Sequence, residues 1–84
     1  MAVYVDHAQL RFGRMKMSHL IADSLAELHW FAGRLGLKRA WFQDGRHPHY
    51  DMSEMKRREA LDNGAVPVGT RQLINISQKI KGES

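Results

Sequence analysis

The stretch from residue 23 to residue 36 constrains the fold of this chain more than any other. Ser24 stands at a helix N-cap and Glu27 follows three residues later, the spacing of a capping box. Leu25, Leu28, Phe31, Ala32 and Leu35 then recur at helical spacing and make one apolar face. Gly36 falls just past the last of them, where a left-handed C-cap needs a residue without a Cβ. Such a helix must bury its apolar face against another layer. The flanking residues supply that layer as strands: Val3-Tyr4-Val5, stopped by Asp6, and the stretch 18–22 with Leu20 and Ile21 before the helix, and 39–43 with Trp41 and Phe42 after it.

The alternation continues. Asp44-Gly45 is a turn pair. Arg46-His47-Pro48-His49-Tyr50-Asp51 reads as a loop in which Pro48 makes His47 extended and removes one backbone donor. Ser53 caps a second helix, with Glu54 in its first turn, that ends at Asn63-Gly64. Residues 65–68 form a short strand in which Pro67 either sets an edge position or leaves one ladder bond unmade. Thr70 caps a third helix with Leu73, Ile76, Ser77 and Ile80 inward and Gly82 at its end. The order β-β-α-β-α-β-α predicts an α/β fold: a three- to four-stranded mixed or parallel sheet covered by about three helices. The unit from the second strand through the first helix to the third strand is expected as a right-handed crossover.

With 84 residues the expectation is one domain over 1–84. A chain of this size buries roughly 60–65% of its unfolded surface, a thin margin for stability. The absence of cysteine removes disulfides, a cysteine nucleophile, a zinc ribbon and an iron–sulfur site. The 43% apolar and 26% charged residues are those of a globular protein rather than a disordered tail. The N-terminus lacks the basic and apolar regions of a signal peptide, and no apolar run approaches the 20 or so residues of a membrane span. These features predict a cytoplasmic protein without a membrane partner.

In open α/β sheets ligands bind beyond the carboxyl ends of the strands. If the strands are mostly parallel, Asp6 and His7, Asp23 and Ser24, Gln43 and Asp44, and Gly69 and Thr70 share one rim with the N-termini of the helices. Free N–H groups and the positive dipole end would suit that rim to anions. A hairpin between the first two strands would break this arrangement. On an extended segment residues i and i+2 face the same way, so His47, His49 and Asp51 can converge. Imidazole with carboxylate suits zinc, manganese or iron, whereas a polar loop anchored by Tyr50 is the plainer reading. His19, on a strand among apolar neighbours, is either a satisfied half-buried histidine or a general acid–base. His29, a single helical histidine without an i+4 partner, reads as a structural or surface residue rather than a metal ligand.

The net charge of +4 comes from three clusters, Arg11-Arg14-Lys16, Arg34-Lys38-Arg39 and Lys56-Arg57-Arg58, with Phe12, Trp41, Phe42 and Tyr50 nearby. That balance fits a phosphate-bearing small molecule or a nucleic-acid surface, and also a plain solvated face with acids at Glu54, Glu59 and Asp62. No Walker A loop, dinucleotide fingerprint or Gly-X-Ser-X-Gly elbow occurs, so ATPase, dinucleotide oxidoreductase and serine hydrolase readings have no support.

Val3-Tyr4-Val5-Asp6, Gly13-Arg14, Ser18-His19-Leu20-Ile21-Ala22-Asp23, Glu27-Leu28-His29, Leu35-Gly36-Leu37, His49-Tyr50-Asp51 and Gly64-Ala65-Val66-Pro67-Val68 occur in this order. Together they resemble the small bacterial and phage family catalogued as domain of unknown function 4031, over roughly residues 3 to 75. The loop from Ala8 to Phe12 departs from the family's pattern, in which it is often proline-rich. The resemblance implies no activity and no catalytic residues. It points to Asp6, Ser18, His19, Asp23, His29, His49, Tyr50 and Asp51 as the matching polar positions, and leaves His47 outside them.

Three functions follow as expectations. The first is a binding module for a phosphate-bearing ligand, a nucleotide or nucleic-acid end, held by Arg14, Ser18, His19, Ser24, His49, Tyr50 and Thr70, with Tyr50 or Trp41 stacking on a base. The second is a metal-dependent phosphoesterase or nuclease with one or two divalent ions on Asp6, Asp23, His49 and Asp51 and His19 as acid–base. The third is a phage accessory that acts through a host protein. Self-association into a homo-oligomer is compatible with each.

Overall fold

A computed structural model describes residues 2–6, 10–12, 15–45 and 47–83. The chain runs β1 (Val3–Asp6), β2 (Leu10–Phe12), β3 (Met15–Ala22), α1 (Leu25–Arg34), a 3₁₀ turn (Arg39–Trp41), β4 (Phe42–Gln43), β5 (His49–Ser53), α2 (Glu54–Asp62), β6 (Val66–Val68) and α3 (Thr70–Glu83). The α/β class and the three helices are as expected. The sheet is larger than expected, with six strands in the order β4-β5-β3-β1-β6 and β2 paired separately on β3.

The differences lie in the strands. β1 pairs β3 antiparallel, β3 pairs β5 antiparallel, β4 pairs β5 antiparallel, and only β1 and β6 run parallel. The first two predicted strands are therefore antiparallel neighbours, so the Asp23 end and the Gln43 end lie opposite the rim that the ends of the parallel pair β1 and β6 share. The third predicted strand shrinks to Phe42–Gln43, because residues 39–41 wind into the 3₁₀ turn. The predicted loop around residue 49 is instead a strand, His49–Ser53, with β3 on one side and β4 on the other. Between the first two predicted strands, Leu10–Phe12 adds a further strand, β2, which pairs with the start of β3 at Met15–Met17.

Local sequence chemistry sets the helix ends. The Ser24 hydroxyl accepts the Glu27 N–H at 3.2 Å and the Ser53 hydroxyl accepts the Lys56 N–H at 3.3 Å. Each satisfies one of the four donors a helix N-terminus leaves free. Both C-termini close as Schellman motifs: Leu37 N–H donates to Ala32 O at 2.9 Å past α1, and Ala65 N–H donates to Ala60 O at 3.0 Å past α2. The two motifs put Gly36 at φ 80° and Gly64 at φ 100°, where a Cβ is strained. Thr70 is the first helical residue of α3 rather than its cap. Gly69 takes the cap position, and Gln72 reaches back to accept its N–H at 3.3 Å.

Strand alternation sorts the side chains onto two faces. Val3, Val5, Leu20, Ala22, Tyr50 and Met52 point to one face and pack with Leu28, Phe31 and Ala32 of α1 and Ala60 of α2. The opposite face is covered in part by α3: Ile21 and Val68 meet Leu73, with Tyr4 and Ile76 at the margin. On that face His19, Asp51 and His49 stand, each half-buried. No described helix is long and apolar enough to cross a membrane.

Candidate metal centre

His19 is on the central strand β3, and the register places Asp51 of β5 directly across from it. His49 precedes Asp51 by two residues and so shares its face. Asp6 lies one step beyond the Val5↔Leu20 pair, which brings the end of β1 beside His19. The strand pairing of β1, β3 and β5 thus gathers four polar side chains from distant positions of the chain.

Asp6 is 1% exposed, so its carboxylate needs partners inside the protein. His19 provides two: its backbone N–H donates to Oδ1 at 3.0 Å, and its ring Nδ1 lies 2.6 Å from Oδ2. A carboxylate accepts only, so the His19 proton sits on Nδ1 and Nε2 is left with its lone pair. The Arg57 guanidinium donates from Nε to the Asp6 carbonyl at 3.1 Å and secures the same strand end. His49 is fixed in the same tautomer. Its Nδ1 lies 2.5 Å from the His47 carbonyl, again an acceptor, so its Nε2 also carries a lone pair.

Both open nitrogens aim at one oxygen. Asp51 Oδ1 lies 3.2 Å from His49 Nε2 and 3.7 Å from His19 Nε2. The two rings meet edge to face, with centroids 4.9 Å apart. Asp51 Oδ2 accepts from Gln43 Nε2 at 2.5 Å, which leaves Oδ1 for the cluster. One atom from each of His19, His49 and Asp51 thus lies within 4.8 Å of the others. The His19 pKa is raised, first by the hydrogen bond to Asp6, with the Asp6 and Asp51 charges adding and burial opposing. The polarisation that strengthens Nε2 as a base strengthens it as a metal ligand.

Other predicted residues go elsewhere. Asp23 sits at the far end of β3, where it accepts the Ala2 N–H at 2.8 Å and the Tyr4 hydroxyl at 3.0 Å. It is therefore not a ligand of this cluster. Asp6 is in the site but stands behind His19 as its orienting partner. Ser18 and Tyr50 are each 1% exposed and belong to the opposite, helix-covered face. The Tyr50 hydroxyl and His29 Nδ1 share a hydrogen bond at 2.8 Å, and burial raises the Tyr50 pKa so that its proton stays on. Tyr50 is thus no stacking platform. Ser24 is engaged as the α1 cap, beyond the Asp23 end of β3. His47 turns away: its Nδ1 lies 2.8 Å from Ser77 Oγ, whose proton goes to Ile74 O, so His47 donates and ties the β5 approach to α3. His7 and Arg14 lie outside the described residues. Gln43 was named only as a strand-end residue; its grip on Asp51 depends on the β4–β5 pairing, which no local motif announces.

The fold and cluster define an α/β protein carrying two histidines and a carboxylate on the partly uncovered face of a mixed sheet. The chain belongs to the family described as Protein of unknown function (DUF4031), whose model matches residues 3–80, as the ordered motifs suggested. No curated protein and no solved structure matches the chain significantly.

Proposed function

We propose that this protein binds one divalent transition-metal ion through His19 Nε2, His49 Nε2 and Asp51 Oδ1, and uses it as a phosphoesterase. One observation carries the reading: Nδ1 of each imidazole is turned to an oxygen acceptor, so in the neutral rings both Nε2 lone pairs converge with Asp51 Oδ1 on one point. With the imidazoles neutral, such a cluster favours a cation at its focus and repels an anion. A phosphate could approach it only after a cation has reversed the local charge. This ordering is why the metal reading stands ahead of the metal-free anion module.

The donor set is that of a site with open positions. Two imidazoles and one carboxylate suit zinc, iron, manganese or cobalt, and leave room for water and a substrate oxygen. Bound metal lowers the pKa of its water and polarises a phosphoryl oxygen. In ester hydrolysis the water oxygen bonds to phosphorus, the ester P–O bond breaks, and the departing oxygen takes up a proton. His19 is committed at Nδ1 to Asp6 and at Nε2 to the site, so the acid–base role falls to a group other than His19. With Asp23 remote, the described residues supply ligands for one ion rather than two.

The test begins with chelator-treated protein and zinc, manganese, cobalt or nickel in a thermal melt. A ligand at a hundred times its Kd adds about 2.7 kcal/mol of stability. For a domain of this size that raises Tm by roughly 10 °C or more. Asp51→Ala should abolish the shift, and loaded natural protein should hydrolyse an aryl phosphate ester while Asp51→Ala does not. If no metal moves the melt, the proposal fails. If metal binds but no phosphate ester is cleaved, the phosphoesterase part fails.

A further inference from the structure

The metal reading leaves a neighbouring cavity unused. Its volume is about 600 Å³, within the range of small-molecule pockets. It opens where β4 stops short. β4 pairs with His49 and Tyr50, and the residues before it, Arg39–Trp41, wind into the 3₁₀ turn instead of pairing onward along β5. Met17, Leu37, Trp41 and Phe42 make its walls apolar. The polar lining residues are few: Gln43, Asp51, Ser53 and Lys56.

Asp51 belongs to both features. Oδ1 faces the histidines and Oδ2 is held by Gln43, while the residue as a whole lines the cavity. A molecule filling the cavity is thus one side chain away from the metal position. Gln43 spends an N–H on Asp51 and keeps its carbonyl oxygen as an acceptor. The Lys56 ammonium donates to Leu35 O at 2.6 Å and to Glu59 Oε2 at 3.1 Å, which engages two of its three hydrogens. Trp41 is 49% exposed, so its indole offers ring surface to a ligand, and Lys38 Nζ lies 5.5 Å from the ring centroid.

Resting on the metal reading, we infer that this cavity receives the base of a nucleoside monophosphate whose phosphate reaches the metal. Apolar walls with an aromatic surface select a planar group, since stacking tolerates any base. The sparse polar atoms select one that carries hydrogen-bonding edges, which a plain aliphatic chain lacks. The cavity holds a single base rather than the basic groove that tracks a longer strand.

Calorimetric titration of zinc-loaded protein with the non-hydrolysable phosphonate analogues of adenosine 5′-monophosphate and ribose 5-phosphate, and with inorganic phosphate, tests this inference. The nucleotide should bind roughly tenfold or more tightly than the sugar phosphate, as expected for one stacked base. Trp41→Ala should erase that advantage, and Trp41→Phe should keep most of it. In a Trp30→Phe background the nucleotide should quench the remaining Trp41 fluorescence. Equal affinity for nucleotide and sugar phosphate overturns the inference, as does an advantage that survives Trp41→Ala. Zinc binding is recorded first in the same preparation. Zinc without nucleotide preference refutes the cavity assignment alone, whereas absent zinc binding refutes the metal reading on which it rests.

Discussion

At the scale of single residues, Asp6 has the largest consequence for its size. It contacts no metal position, but it determines which nitrogen of His19 is free. In Asp6→Asn the new amide can donate to Nδ1 and move the ring proton to Nε2. Metal affinity should fall about 10- to 100-fold, the usual cost of losing such an orienting carboxylate. Calorimetry on the natural and variant proteins measures this, and an unchanged affinity would show that Asp6 does not orient the ring. His29 makes a different residue-scale prediction. It packs edge-on against the Phe42 and Tyr50 rings, at centroid distances of 4.6 and 5.8 Å. Burial first, then the Arg39 charge, lowers its pKa, with Asp44 pulling weakly the other way. A lowered folded pKa means that the unfolded chain binds the extra proton more readily. The stability from His29 is complete above the unfolded value of about 6.5 and is lost as pH falls through the folded value. In chelator-containing buffer, the urea midpoint of the natural protein should drop more steeply from pH 7.5 to pH 5 than that of His29→Gln. Parallel slopes would remove His29 from the account.

At the scale of elements, the helix ends were legible because their signals are local. Ser24 with Glu27, Ser53, Gly36 and Gly64 each act within a few residues, and each does what its spacing implies. Ser24→Ala and Ser53→Ala should each cost about 1 kcal/mol. That corresponds to roughly 4–8 °C in Tm for a domain of this size. A loss below 1 °C at either position would contradict the cap. The strands were less legible, since strand formation depends on partners far along the chain. His49–Ser53 looked like a loop because Pro48 and two histidines precede or begin it, yet Tyr50 and Met52 alternate inward and β3 supplies the pairing. Arg39–Trp41 looked like a strand by composition and winds into a 3₁₀ turn, and that deviation opens the cavity beside Asp51. The two-residue edge strand β4 and the Pro67-bearing edge strand β6 leave short edges, which limits edge-to-edge pairing with other chains.

At the scale of the whole molecule, the residue types of the site were readable but their grouping was not. His49 and Asp51 share a face by strand alternation, which sequence can suggest. His19 joins them through the β3–β5 register, and Asp6 joins through the β1–β3 register; neither is visible in a local window. The antiparallel β1–β3 pair also explains why Asp23 and Ser24 lie far from the cluster. A parallel sheet would have placed all the strand ends on one rim. Because its parts come from β1, β3 and β5, the cluster forms only when the sheet forms, and metal binding should therefore stabilise the fold as a whole. The central claim is that the two Nε2 atoms and Asp51 Oδ1 hold one ion. X-ray absorption on protein loaded with one equivalent of zinc tests it most directly. The account predicts two imidazole nitrogens at about 2.0–2.1 Å plus oxygen ligands, with one imidazole lost in His49→Ala. A shell of oxygen alone, or a spectrum unchanged by His49→Ala, would contradict it.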